Sequence, residues 1–209
     1  MSGTTAVIGS VFAGAALIFM VLGFASPYWV ESFEEFKGQF VKLGLWEFCF
    51  NDYTFYKDYN GKRYVGCFYV FSDDMRPIWE WVSPPWFIGM QVMFSAALLF
   101  IFLSCVCLTF YIFRLFPKQI EWAVLIGNGA VMGLNVIVLL IALIVFGVKK
   151  EDRRWMPRPD MNLLSWSYGM CCMAGWFCLF SCVCLLLAGK AKMSEKGNYN
   201  YPRAAVTYT

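Results

Sequence analysis

Sulfur is the first chemistry this sequence offers, because nine cysteines stand beside no histidine at all. Cys49 and Cys67 lie alone in a stretch rich in Tyr, Phe and Trp. Cys105, Cys107, Cys171, Cys172, Cys178, Cys182 and Cys184 lie in or beside long apolar runs. A structural zinc site draws on Cys-x-x-Cys pairs and, commonly, His. The apolar cysteines lack that spacing, so no metal is expected. Losing His also removes the commonest general base and the usual partner of a nucleophile. The chain is therefore read as no enzyme, with no cofactor. Cys105-x-Cys107 and Cys182-x-Cys184 are candidate S-palmitoylation sites, set against the plain role of Cys as a small packing residue. Cys49 and Cys67, a lone pair in a compact loop, read as a disulfide. Such bonds persist outside the cytosol.

The elements that must position these sulfurs follow from the charge pattern. Residues 1–30, 81–113, 122–148 and 161–189 carry no charged side chain, and about 18 uncharged apolar residues suffice for a spanning helix. Four spans are expected, near Thr5–Ser26, Trp86–Phe113, Trp122–Gly147 and Leu163–Gly189. Composition agrees: the chain is 60% hydrophobic and 15% charged, with mean hydropathy +0.57, where soluble domains have about 25% charged residues. A net charge of +3 without a basic stripe excludes a nucleic-acid partner. Tyr28, Trp29, Trp79, Trp81, Trp86, Trp122, Trp155 and Trp166 are placed for an interfacial belt. Without a basic leader, the first span reads as retained rather than as a signal peptide. In span three, Asn128 and Asn135 share a helix face with Gly129 and Gly133, a pattern for close helix packing. Four spans put both termini on one side. An outer disulfide in the first loop puts that side in the cytoplasm, with loops 27–85 and 148–162 outside and a tail from 190 to 209 inside.

The first loop reads as sheet. Tyr28–Phe33, Phe40–Phe50 and Tyr64–Phe71 are β-rich runs, and Asn60-Gly61 is a two-residue hairpin signal. A tight turn there sets Thr54, not Cys49, opposite Cys67. Five residues of slip at about 3.3 Å each far exceed the roughly 7 Å Cα limit of a disulfide. The expectation is that Asn60-Gly61 sits within a longer loop and the covalent pair sets the register. Nine acids against six Lys and Arg in this loop (Glu31, Glu34, Glu35, Glu47, Asp52, Asp58, Asp73, Asp74 and Glu80 on the acidic side) read first as a solvated face.

Trp29, then Gly44-Leu45-Trp46, Cys49 and Cys67, resembles the W…GLWxxC…C signature of the claudin superfamily, which includes calcium-channel γ subunits. Tyr168-Gly169 and Gly175-Trp176 in span four are similar to its YG…GW pattern. Two features depart from the junctional claudins. The cysteines are 18 apart, and Gln91 is the nearest polar residue where claudins often carry Arg at the start of span two. The resemblance implies one claudin-like domain over residues 1–209: a left-handed four-helix transmembrane bundle capped by a small extracellular antiparallel sheet. It implies a multi-pass plasma-membrane protein at cell–cell junctions, associating with itself in cis and trans, with other claudin-like proteins and with membrane lipid. That association builds a paracellular barrier or selective path. The alternative is an auxiliary subunit that tunes an ion channel or receptor.

Overall fold

The computed structural model describes residues 2–33, 39–55 and 61–200, with the side chains of residue 2 and of 196–200 left aside. In chain order the elements are α1 (Ser2–Ala25), β1 (Val30–Ser32), β2 (Phe40–Leu43), β3 (Glu47–Thr54) and β4 (Arg63–Tyr69). A 3-10 turn (Asp73–Ile78) leads into α2 (Trp79–Val82), α3 (Pro85–Ile112) and α4 (Glu121–Lys149). A second 3-10 turn (Pro159–Met161) precedes β5 (Asn162–Leu164) and α5 (Trp166–Asn200). Among the described residues four helices are long and apolar enough to cross a membrane: Gly3–Ala25, Pro85–Ile112, Glu121–Lys149 and Trp166–Glu195.

The four expected spans are all present, with two shifts at the last. Leu163 belongs to β5, and the helix starts at Trp166, since Asn162–Leu164 finds a better use pairing with β1 than extending α5. The helix also continues past Gly189 to Asn200, so most of the expected tail is helical. Residues 201–209 lie outside the described residues.

The five strands form one antiparallel sheet in the order β4-β3-β2-β1-β5. Its register separates two kinds of row. Leu164, Val30, Leu43, Phe48 and Phe68 line up across all five strands, every one apolar, with Val30 and Leu43 fully buried. The adjacent row is Leu163, Glu31, Lys42, Cys49 and Cys67. Successive residues of a strand point to opposite faces, so the second row, disulfide included, lies on the other face. The expected run Phe40–Phe50 is in fact two strands, folded back at Gly44-Leu45-Trp46. Thr54 pairs with Arg63 and Tyr53 with Tyr64, a register other than the one a tight turn centred on Asn60-Gly61 gives; Asn60 itself lies outside the described residues. Strand β5, from the second loop, is too short to announce itself in sequence.

The chain divides into two compact units. One comprises Met1–Leu17, Leu99–Val136 and Trp176–Thr209; the other comprises Ile18–Leu98 and Ile137–Gly175, the sheet among them. In the first unit, α4 and α5 approach closely. A Cβ on Gly129 would stand 2.9 Å from Leu186, and one on Gly133 would stand 3.1 Å from the Cys182 sulfur. Asn128 and Asn135 are buried beside these glycines. Asn128 donates to the Val124 carbonyl at 2.8 Å and to Cys107 Sγ at 3.3 Å. Lys192 closes the end of this unit with an ion pair to Glu121 at 2.6 Å.

Candidate functional site: a braced sheet and its anchor

In the sheet-bearing unit, Trp29 is fully buried. Its backbone N–H donates to the Leu43 carbonyl at 2.8 Å, and its own carbonyl accepts from Ser165 at 2.9 Å. The indole Nε1 donates to the Gly23 carbonyl at 2.7 Å, one of the last carbonyls of α1, which have no partner within the helix. Three rings meet the indole edge-on: Phe94 of α3 at 4.9 Å, Phe146 of α4 at 5.0 Å and Tyr168 of α5 at 5.9 Å. One residue at the root of β1 thus touches every long helix. Reading Trp29 as a belt aromatic is wrong. Its polar edge is satisfied by the chain and its rings are enclosed.

Gly44, Leu45 and Trp46 form the turn between β2 and β3, closed by Gly44 N–H donating to the Glu47 carbonyl at 2.8 Å. A Cβ on Gly44 would fall 2.5 Å from Pro27 Cα and 3.0 Å from the Ser26 carbonyl, so the turn can press on the end of α1 only with glycine there. Close approach, rather than an unusual φ, is what this glycine supplies. Leu45 is fully buried, and its carbonyl accepts from Gln91 Nε2 of α3 at 2.7 Å. Gln91 is thus the polar tie between α3 and the turn. Sequence reading noted it only as the polar residue nearest a missing Arg, because its acceptor lies 46 positions away. Trp46 is half-buried, edge-on to Phe24 at 5.1 Å and 6.2 Å from Phe71.

Trp155 corrects the belt in the same way. It is 6% exposed and packs on Trp86 at 4.7 Å, Phe87 at 5.6 Å and Phe146 at 6.3 Å. Trp166, by contrast, is exposed and stacks on Tyr28 at 5.7 Å, as a belt residue should.

Cys49 and Cys67 are bonded directly across β3 and β4, with Cα atoms 4.0 Å apart. Cys49 is buried and Cys67 exposed. The Glu47 carboxylate lies close to both sulfurs, but a bonded pair has no thiolate to give a metal. Cys105, Cys107, Cys182 and Cys184 are free and half-buried in α3 and α5. Cys107 accepts from Asn128, Cys182 faces Gly133, and Cys184 lies against Gly9. Packing is the role these contacts display.

The sheet leaves apolar side chains uncovered. Val65 is 63% exposed, Tyr69 54%, Phe71 50% and Leu163 53%. Strand β4 is an edge strand and carries two of them. Backbone groups and apolar side chains are presented together, an arrangement suited to protein contact.

No curated protein matches the chain closely. The sequence pattern of the family described as PMP-22/EMP/MP20/Claudin tight junction matches residues 15–187. That stretch runs from within α1 to near the last turns of α5, and it takes in Trp29, the Gly44-Leu45-Trp46 turn, both bonded cysteines and Gln91. The chain belongs to that family, as a claudin-like multi-pass membrane protein.

Proposed function

We propose that this protein builds cell–cell contacts by self-association, its sheet facing outward from the cell and both termini in the cytoplasm, to form a paracellular barrier or selective path. The observation that carries the reading is the covalently braced sheet with an uncovered edge strand and exposed Val65, Tyr69 and Phe71. A rigid platform is what repeated weak contacts need, since many in a two-dimensional array add through avidity. The disulfide supports the outward orientation, because such bonds persist in oxidising compartments. The anchor residues act indirectly. Trp29, Leu45 and Gln91 hold the platform against the helices so that its edges keep one geometry.

The test is expression of the protein alone in cells that lack such junctions. Enrichment where two expressing cells touch is expected. It should be lost when residues 27–85 are exchanged for an unrelated loop and kept when residues 201–209 are removed. An even surface distribution, with a channel or receptor co-purifying from native tissue, would overturn the junctional reading in favour of an auxiliary subunit.

A further inference from the structure

The disulfide that braces the sheet is open to chemistry from one side. Cys49 is buried in β3, while Cys67 is exposed on β4, the edge strand of the sheet. In thiol exchange a thiolate bonds to one sulfur, and the electron pair of the broken bond leaves on the other. Accessibility therefore fixes the direction. The incoming sulfur bonds to Cys67 Sγ, the Sγ–Sγ bond breaks, and Cys49 leaves as a buried thiolate. A second thiolate then removes the first from Cys67 as a small disulfide, and both cysteines are left reduced.

A carboxylate stands where that charge develops. Glu47 lies two residues before Cys49 in β3, hence on the same face of the sheet. Its Oε1 is 3.7 Å from Cys49 Sγ, and the carboxylate lies within 4.8 Å of both sulfurs. Among the described residues no Lys or Arg forms an ion pair with it. Lys42, opposite Cys49 on β2, turns its ammonium over the Tyr28 ring at 4.0 Å. Glu31, next along that row, accepts from Ser165 Oγ at 3.1 Å. Opposite Glu47 on β4 is Tyr69, not a cation. A negative charge this close disfavours the thiolate that must form at Cys49, as burial does, and a poorer leaving group departs more slowly. The same charge repels the attacking thiolate, and repels it more when the reagent carries a further negative group.

We propose that Glu47 guards the brace. Its charge holds off thiol reductants, so the bond between Cys49 and Cys67 outlasts contact with small thiols although Cys67 is exposed. This role does not depend on the cell-contact reading, and either can fail alone.

Full-length protein in lipid nanodiscs can be reduced with cysteamine, mercaptoethanol or mercaptopropionate, whose attacking forms are zwitterionic, singly negative and doubly negative. Alkylation and mass spectrometry of the Cys49 and Cys67 peptides give the rate at this bond. Dividing by each thiol's rate on hydroxyethyl disulfide removes its intrinsic reactivity. The parent should favour cysteamine over mercaptopropionate by about fivefold, the effect of unit charges near 4 Å in water. Glu47→Gln should be reduced faster by every thiol, by mercaptopropionate most, and so lose that preference. Glu47→Asp, which keeps the charge, should retain it. A parent without charge preference would overturn the proposal, as would Glu47→Gln reduced at the parent's rates. Equal acceleration by all three thiols would overturn it too, since a loosened sheet produces that result. If Glu47→Gln fails to fold, the parent's charge preference decides alone.

Discussion

Trp29 and Gly44 occupy positions where size is fixed from two sides. Trp29 fills a space bounded by rings from three helices, and its Nε1 satisfies a terminal carbonyl of α1. Trp29→Ala should cost about 3–5 kcal/mol. Trp29→Phe should cost less but still be measurable, because the Gly23 carbonyl loses its donor. Gly44→Ala pushes a methyl group against the backbone of Pro27, which cannot swing aside. A loss of about 1–3 kcal/mol is expected, as for overpacking, read as a lower unfolding temperature in detergent. Trp46 of the signature and Trp155 outside it order themselves by burial. Trp155→Ala should lower surface level more than Trp46→Ala, because Trp155 is enclosed by Trp86, Phe87 and Phe146 while Trp46 is half in solvent or lipid. Motif membership alone argues the opposite order; burial decides it.

Between elements, the joint that matters is the β2–β3 turn against α1 and α3. Gln91→Leu keeps volume and apolarity in α3 but leaves the buried Leu45 carbonyl without its donor. An unsatisfied buried acceptor costs about 1–3 kcal/mol. The variant should therefore insert normally in the membrane yet show raised hydrogen exchange in β2 and β3, with α4 and α5 unchanged. Equal protection throughout would deny Gln91 its tie. The spans were legible because hydrocarbon tolerates no charge, so the gaps between charged residues mark them directly. The sheet was half legible. Alternating apolar residues mark β3 and β4, but β5 has three residues and joins the sheet only through β1. Nothing in Asn162-Leu163-Leu164 taken locally distinguishes it from the start of a helix.

For the molecule as a whole, the covalent brace and the membrane core are separable sources of stability. Closing the loop between Cys49 and Cys67, 18 residues apart, contributes about 3 kcal/mol by loop entropy. Cys67→Ser, or reduction of the intact protein, should lower the unfolding temperature of the sheet while the helical circular dichroism persists, since helices in lipid keep their backbone bonds internally. Simultaneous loss of both signals would mean that the sheet and the helices unfold as one. Cell-surface protein carrying free thiols at both positions would remove the brace altogether and with it the outward orientation.

Composition, charge gaps and the lone cysteine pair were enough to determine four spans, a β-rich first loop and a register set by Cys49 and Cys67. Each rests on a rule that acts locally or on a covalent bond of fixed reach. Only the tertiary structure decided which aromatics are anchors and which are belt. Trp29 and Trp155 look like Trp166 in sequence, and they differ only in what the other helices bring to their rings. The same holds for Gln91, whose acceptor is remote in the chain, and for Gly44, whose need to be glycine arises from Pro27. Burial and close approach are properties of pairs of segments. A single segment does not carry them.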